Sequence, residues 1–281
     1  MSNTIANENK SVKTLFHANP VLSRMSKVTE RVSSDGASYA GIAAKTSFFL
    51  LVTLAGMIAQ LLVKNMMANE PIWQTFTIYK KFTVALTMKE TAILGGVLVV
   101  GLICEFVGIF ARRTVPVTGT IYSASQGYLI SFIVFKVLTG YEHLGLEALL
   151  LTVAVVLVMS WLYSSGLVRG GKKFRAVLLG LLLGSVCFGI LTFLGTLIPA
   201  TRPFVQTLMG NPTVTIIIDV VGLLIAAMFL ISDFSMIENC VQEGYPKDYE
   251  WSAAFGLVFT VLWIYLKILD LLMQFSGDKN K

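Results

Sequence analysis

The sequence predicts an all-α polytopic membrane protein, and three observations predict it. Of 281 residues, 55% are hydrophobic and only 14% are charged, where an ordinary soluble domain carries about 25% charged residues. The mean hydropathy is +0.75. The apolar residues also gather into runs that reach the roughly 20 residues a helix needs to cross a bilayer. A soluble fold of this length has no interior large enough to hide so much apolar surface.

Taken in order, residues 1–40 read as a polar, flexible cytoplasmic tail. They carry Lys10, Lys13, Arg24, Lys27 and Arg31, lack the apolar stretch of a cleavable signal peptide and cannot bury a core. Residues 41–275 form the membrane domain, and 276–281 a short polar C-terminal tail. The first span is expected at 45–63. The loop after it, with Pro71, Trp73, Tyr79, Lys80 and Lys81, suits a segment lying in the headgroup interface, where amphipathic rings are favoured. The second span, 91–110, stops at Arg112 and Arg113. The third starts near Pro116, a suitable helix-entry residue, and reaches about 138. The fourth covers 146–163 and ends in the basic glycine-rich loop GLVRGGKKFR. The fifth covers 176–198 and stops before Pro199. The sixth and seventh occupy 214–275, turning near Gly244. Glycines at 95, 96, 180, 184, 189, 195 and 222 suit close helix packing.

Charge sets the expected orientation. With the N-terminus inside, thirteen of the 22 Lys and Arg residues fall on inner segments and eight on outer ones, with Lys267 inside a span. That bias favours an inside N-terminus and an outside C-terminus. The basic residues are scattered among spans and form no continuous stripe, so nucleic acid is a poor partner. The evident partner is the lipid bilayer.

No phosphate-binding loop, metalloprotease helix, serine-hydrolase elbow or dinucleotide fingerprint occurs in a credible context. Nor do the paired-aspartate motifs of intramembrane proteases. The expectation is no enzyme and no cofactor. Cys104, Cys187 and Cys240 form no metal or disulfide spacing and read as buried small hydrophobes. His17 and His143 likewise have no metal-ligand spacing.

What remains is a set of charges inside spans, each rare enough in hydrocarbon to be a candidate functional group. Four lie on the last two helices: Asp219, Asp233, Lys267 and Asp270. Counted from a symmetric turn at Gly244, Asp219 lies 25 residues before it and Lys267 lies 23 after, whereas Asp233 lies only 11 before. At 1.5 Å per residue, Asp233 and Lys267 then differ in depth by about 18 Å, and Asp219 is the natural ion-pair partner. Asp270 is within an i,i+3 contact of Lys267. Glu238 and Glu250, each six residues from the turn, fall opposite one another at the expected cytoplasmic mouth. If they meet, each raises the other's pKa; otherwise they are two solvated acids. Glu105, two turns before Arg112, is either a helix-end carboxylate neutralised by the arginines or part of a polar cavity.

Three stretches resemble a known family. NPVLSR at 19–24, DFSMIE at 233–238 and EWSAAFGLVFTVLWIYLKILDLL at 250–272 are similar to the NPVL, DFDFIE and EWYAAFGL…WLYLEILRLL motifs of the Bax inhibitor-1/YccA-like family, in its bacterial branch with a polar N-terminal tail. The resemblance implies a seven-transmembrane-helix bundle of Bax inhibitor-1 type in a bacterial cytoplasmic membrane. It also implies a pH-sensitive calcium or cation leak that uses two carboxylates on the last two helices, with calcium as the transported ion. The alternative it implies is a non-transporting modulator that binds a membrane-protein partner such as a quality-control protease. Asp233 matches the first family carboxylate. The second is expected at position 267, where EILR has become KILD and a lysine stands instead. Lys267 is thus claimed by Asp233 on resemblance, by Asp219 on counting and by Asp270 on proximity.

Overall fold

The computed structural model describes residues 36–78, 82–168 and 171–278. The NPVLSR stretch, the basic tail, His17 and the last three residues lie outside these. So do Tyr79, Lys80, Lys81 and Arg169. The described residues form a helical bundle with one β-hairpin. Helix α1 is Tyr39–Met66, followed by strands β1 (Ile72–Ile78) and β2 (Phe82–Thr87). Then come α2 (Met88–Phe110), a 3-10 turn (Arg112–Thr114), α3 (Val115–Phe132), α4 (His143–Ser164), α5 (Lys172–Leu197), α6 (Arg202–Met209), α7 (Pro212–Gln242) and α8 (Asp248–Asp278). A π-turn, Ile133–Val137, prolongs α3.

Six helices among the described residues are long and apolar enough to cross a membrane: α1, α2, α4, α5, α7 and α8. The expected third span is α3, whose polar faces keep it from meeting the same description. The reason lies in its position. Tyr122, Ser123, Ser125, Gly127, Tyr128 and Ser131 of α3 are buried, so its polar groups face protein. Ser131 Oγ donates to Gln60 Oε1 of α1 at 3.0 Å, and Ser125 donates back to the Ile121 carbonyl. Small residues bring the two backbones together. A Cβ at Gly127 would stand 1.9 Å from the Thr53 carbonyl oxygen, and one at Gly56 would stand 2.1 Å from that of Ala124. This is close approach of the kind that favours small residues in membrane helices.

The other glycines divide. A Cβ on Gly222 would meet Lys267 and one on Gly195 would meet Val205, but Gly95, Gly96, Gly180, Gly184 and Gly189 have nothing within 4 Å. The packing expected of those five is not made among the described residues.

The loop after α1 folds as a β-hairpin. IWQTFTI and FTVALT are β-branched and aromatic, and they pair antiparallel from Ile78 with Phe82 to Ile72 with Thr87. Phe82, Val84 and Leu86 alternate into the bundle, which is the period-2 pattern of a half-buried strand. β1 stays exposed along nearly all its length. The short helix α6 was also absent from the expected elements.

α8 is the central helix. Half of its most apolar window is buried, against 6% for α5 at the periphery. It packs against α7, α4 and α1, and Val258, Ile264 and Leu269 of α8 join Phe49 of α1 and Leu230 of α7 in the core. The turn between α7 and α8 is tight because Gly244 adopts φ +62°, a left-handed conformation that glycine takes without steric cost.

Candidate functional site at the last two membrane helices

The tight turn sets the register of α7 against α8, and that register decides which charges meet. Lys267 Nζ donates to Asp219 Oδ1 at 2.6 Å, and the pair bridges α8 and α7. The other carboxylate oxygen accepts Gln274 Nε2 at 2.5 Å. Gln274 lies seven residues after Lys267, two turns along the same helix face. Asp219 is 5% exposed. Gly222, one turn further along α7, gives the lysine stem room, since a Cβ there would stand 3.2 Å from Lys267 Cε. A carboxylate at this depth is expensive alone. Here it is neutralised by an ammonium and hydrogen-bonded on both oxygens.

Asp233 lies elsewhere. Its Oδ1 is 3.6 Å from the point where a Cβ on Gly256 would sit. Gly256 is 11 residues from Lys267 on α8, about 16 Å of helix. Counting from the turn therefore identifies the lysine's partner correctly. The arrangement in which Lys267 is the counter-charge of Asp233 is overturned by the depth difference. Asp270 shares a cavity of about 320 Å³ with Lys267, lined also by Ile78, Ile133 and Leu266.

The mouth candidates are drawn to different helices. Glu250, 2% exposed, receives Lys45 Nζ of α1, the Ser38 backbone N–H at 2.8 Å and the Ser38 hydroxyl. Glu238 accepts the Tyr163 hydroxyl of α4 and Gln242 Nε2 at 2.9 Å. Each acid spends its hydrogen-bonding capacity on its own neighbours, and the expected opposition of Glu238 and Glu250 is not what organises this end. Just beyond, Ala37 N donates to the Tyr245 carbonyl at 2.7 Å, so residues 36–38 are strapped to the α7–α8 turn. Arg112 sits over the Tyr249 ring, its guanidinium carbon 3.6 Å from the centroid. It is thus engaged by an aromatic rather than by Glu105. Glu105 is half-buried and lines a second cavity of about 310 Å³ with Tyr122, Gln126 and Leu266.

At the opposite end lies a charge pair that sequence reasoning missed. Lys136 Nζ of the π-turn donates to Glu90 Oε1 at 2.5 Å. Glu90 also closes a capping box with Thr87. Lys64 Nζ of α1 donates to the Phe135 carbonyl at 2.6 Å, within the π-turn. The pattern Thr87-Met88-Lys89-Glu90 before an apolar run was the available signal. In the turn beside it, the Gly140 N–H holds the exposed Glu142 carboxyl below its ordinary range.

A family model described as Bax inhibitor 1 like matches residues 19–277, from the first residue of NPVLSR almost to the end of α8. No curated protein and no solved structure matches the chain.

Breaking one side of the buried pair is expected to leave an uncompensated charge and cost about 3–5 kcal/mol. Asp219→Asn and Lys267→Met should each lower the thermal midpoint in detergent, while the double variant recovers most of the loss. Additive losses in the double variant would show that the two side chains do not interact.

Proposed function

The chain belongs to the Bax inhibitor 1-like family and is an integral membrane protein, and on that premise we propose that it is a charge-gated cation leak. One observation carries the reading: Leu266 lines both the cavity that holds Lys267 and Asp270 and the cavity that holds Glu105. Two cavities that share Leu266 in their walls, beside a buried interhelical ion pair, are read as the plan of a closed route. Leu266 is the partition. The Lys267–Asp219 pair is the latch that fixes α8 on α7, and Asp233, nearer the turn, is the carboxylate that attracts cations and responds to protons. Glu250 is excluded from the mouth because Lys45 neutralises it. Asp219 offsets the Lys267 charge, which would otherwise repel calcium.

The same reading has seven crossings. α3 and its π-turn run continuously through 23 residues, about 34 Å at helical rise, which spans a hydrocarbon core of about 30 Å. Shielded by α1, α2 and α8, this helix tolerates polarity that a lipid-facing span does not. The N-terminus is placed inside, in a bacterial cytoplasmic membrane. The strap between residues 36–38 and the α7–α8 turn favours a second reading. A partner gripping the tail, such as a membrane quality-control protease, would be coupled directly to the last two helices.

Two measurements test these readings. Liposomes holding the purified protein are expected to release calcium or sodium faster than empty liposomes between about pH 6 and 8, and Asp233→Ala should lower the rate and flatten its pH dependence. Release no faster than from empty liposomes, unchanged in Asp233→Ala, would remove the leak and leave the partner-binding reading. For topology, single cysteines introduced at 36 and 276 in a cysteine-free background should react with an impermeant thiol reagent from opposite faces of the membrane. Reaction from one face would rule out seven crossings.

A further inference from the structure

The carboxylates at Asp219, Glu90, Glu250 and Glu238 are all engaged by named donors. Glu105 is different: it makes no hydrogen bond and no ion pair with any described residue. It sits on α2 five residues from the helix end, and its side chain faces the cavity of about 310 Å³. The rest of that cavity has a particular chemistry. Tyr122, Phe259 and Trp263 supply three aromatic side chains, and Gln126 and Ser185 supply neutral polar groups. The volume lies at the lower end of the range for small-molecule sites, about 300–1,000 Å³.

We propose that this cavity is a binding site for an amphipathic monovalent organic cation, a protonated amine or quaternary ammonium. A half-buried carboxylate with no cation of its own, set beside aromatic rings, calls for a positive charge. Aromatic faces attract a poorly hydrated cation through their quadrupoles, indole most strongly. A hard divalent ion fits less well, because calcium takes six to eight oxygen ligands and among the described residues no three acidic, His or Cys groups converge.

The entry path follows from packing. The wall carrying Leu182 and Ser185 belongs to α5, where Leu178 is the single buried residue among the side chains described. A helix held so lightly lets a ligand with an apolar body enter sideways from the lipid and bring its charged end to Glu105. The inference stands on the cavity alone and does not need a leak: binding without flux would remove the leak and keep this site.

The test is equilibrium binding of radiolabelled benzyltrimethylammonium to the full-length protein in nanodiscs of zwitterionic lipid. Saturable binding is expected, displaced by the unlabelled cation but not by its uncharged carbon isostere, neopentylbenzene, and not by calcium. Glu105→Gln should weaken it by about tenfold or more, the loss of a charge-assisted contact. Trp263→Leu should weaken it roughly threefold or more through the lost ring face. Trp263→Leu keeps the test decisive if Glu105→Gln does not fold. The proposal is overturned by absence of saturable binding at neutral and alkaline pH, in which case Glu105 holds only a proton. It is equally overturned by unchanged affinity in Glu105→Gln, or by displacement with calcium at similar concentration.

Discussion

Asp219 and Lys267 face each other across two apolar helices, the carboxylate buried and the ammonium partly so. A carboxylate in that position costs roughly 2.5–3.5 kcal/mol on insertion scales, so the fold has to bring it a counter-charge. It does so through the register of one hairpin. Gly244 in a left-handed conformation lets α7 turn directly into α8, which sets Gly222 beside the lysine stem and Gln274 against the second carboxylate oxygen. Moving α8 by one turn, about 5.4 Å, would undo all three contacts. The pair therefore pins the two helices in one register.

The other deep charges follow the same rule at the two ends of the bundle. Glu250 and Lys45 join α8 to α1, and Glu90 and Lys136 join α2 to the π-turn after α3. Between these nodes the helices meet mainly through apolar side chains and, for α1 and α3, through backbone approach at Gly56 and Gly127. Apolar packing between helices gains little over packing against lipid, so the polar nodes are where register is specified. Glu105 stands outside the rule. Its carboxylate lines a cavity instead of meeting a cation, and that exception is what the proposed binding site rests on.

The architecture was legible in the sequence because a membrane span announces itself by length and hydropathy. The apolar runs beginning near 91, 146, 176 and 214 all became helices. α3 was placed by Pro116, although its serines keep it out of the helices apolar enough to cross a membrane. The hairpin Ile72–Thr87 was missed because Trp73, Tyr79 and the lysines were read as interface chemistry, which hid the alternation of Phe82, Val84 and Leu86. In the candidate site, counting from the turn assigned Lys267 to Asp219, whereas resemblance pointed to Asp233. Counting prevailed because depth in a straight hairpin is a geometric quantity, and position 267, where the resemblance implies a carboxylate, holds a lysine. The partners of Glu250 and Glu238 lie over 200 and 75 residues away in sequence. Periodicity within one helix cannot reveal which distant helix supplies a donor.

The account depends most on the depth of Lys267 relative to α7, and cross-linking in membranes measures that depth directly. In a background lacking Cys104, Cys187 and Cys240, cysteines are introduced in pairs at 219 and 267 or at 233 and 267, and a short thiol-to-thiol cross-linker is added. The account requires the 219–267 pair to cross-link efficiently and the 233–267 pair, about 16 Å apart along the helix axis, to stay unlinked. Efficient linkage of 233 to 267, with none between 219 and 267, would contradict it.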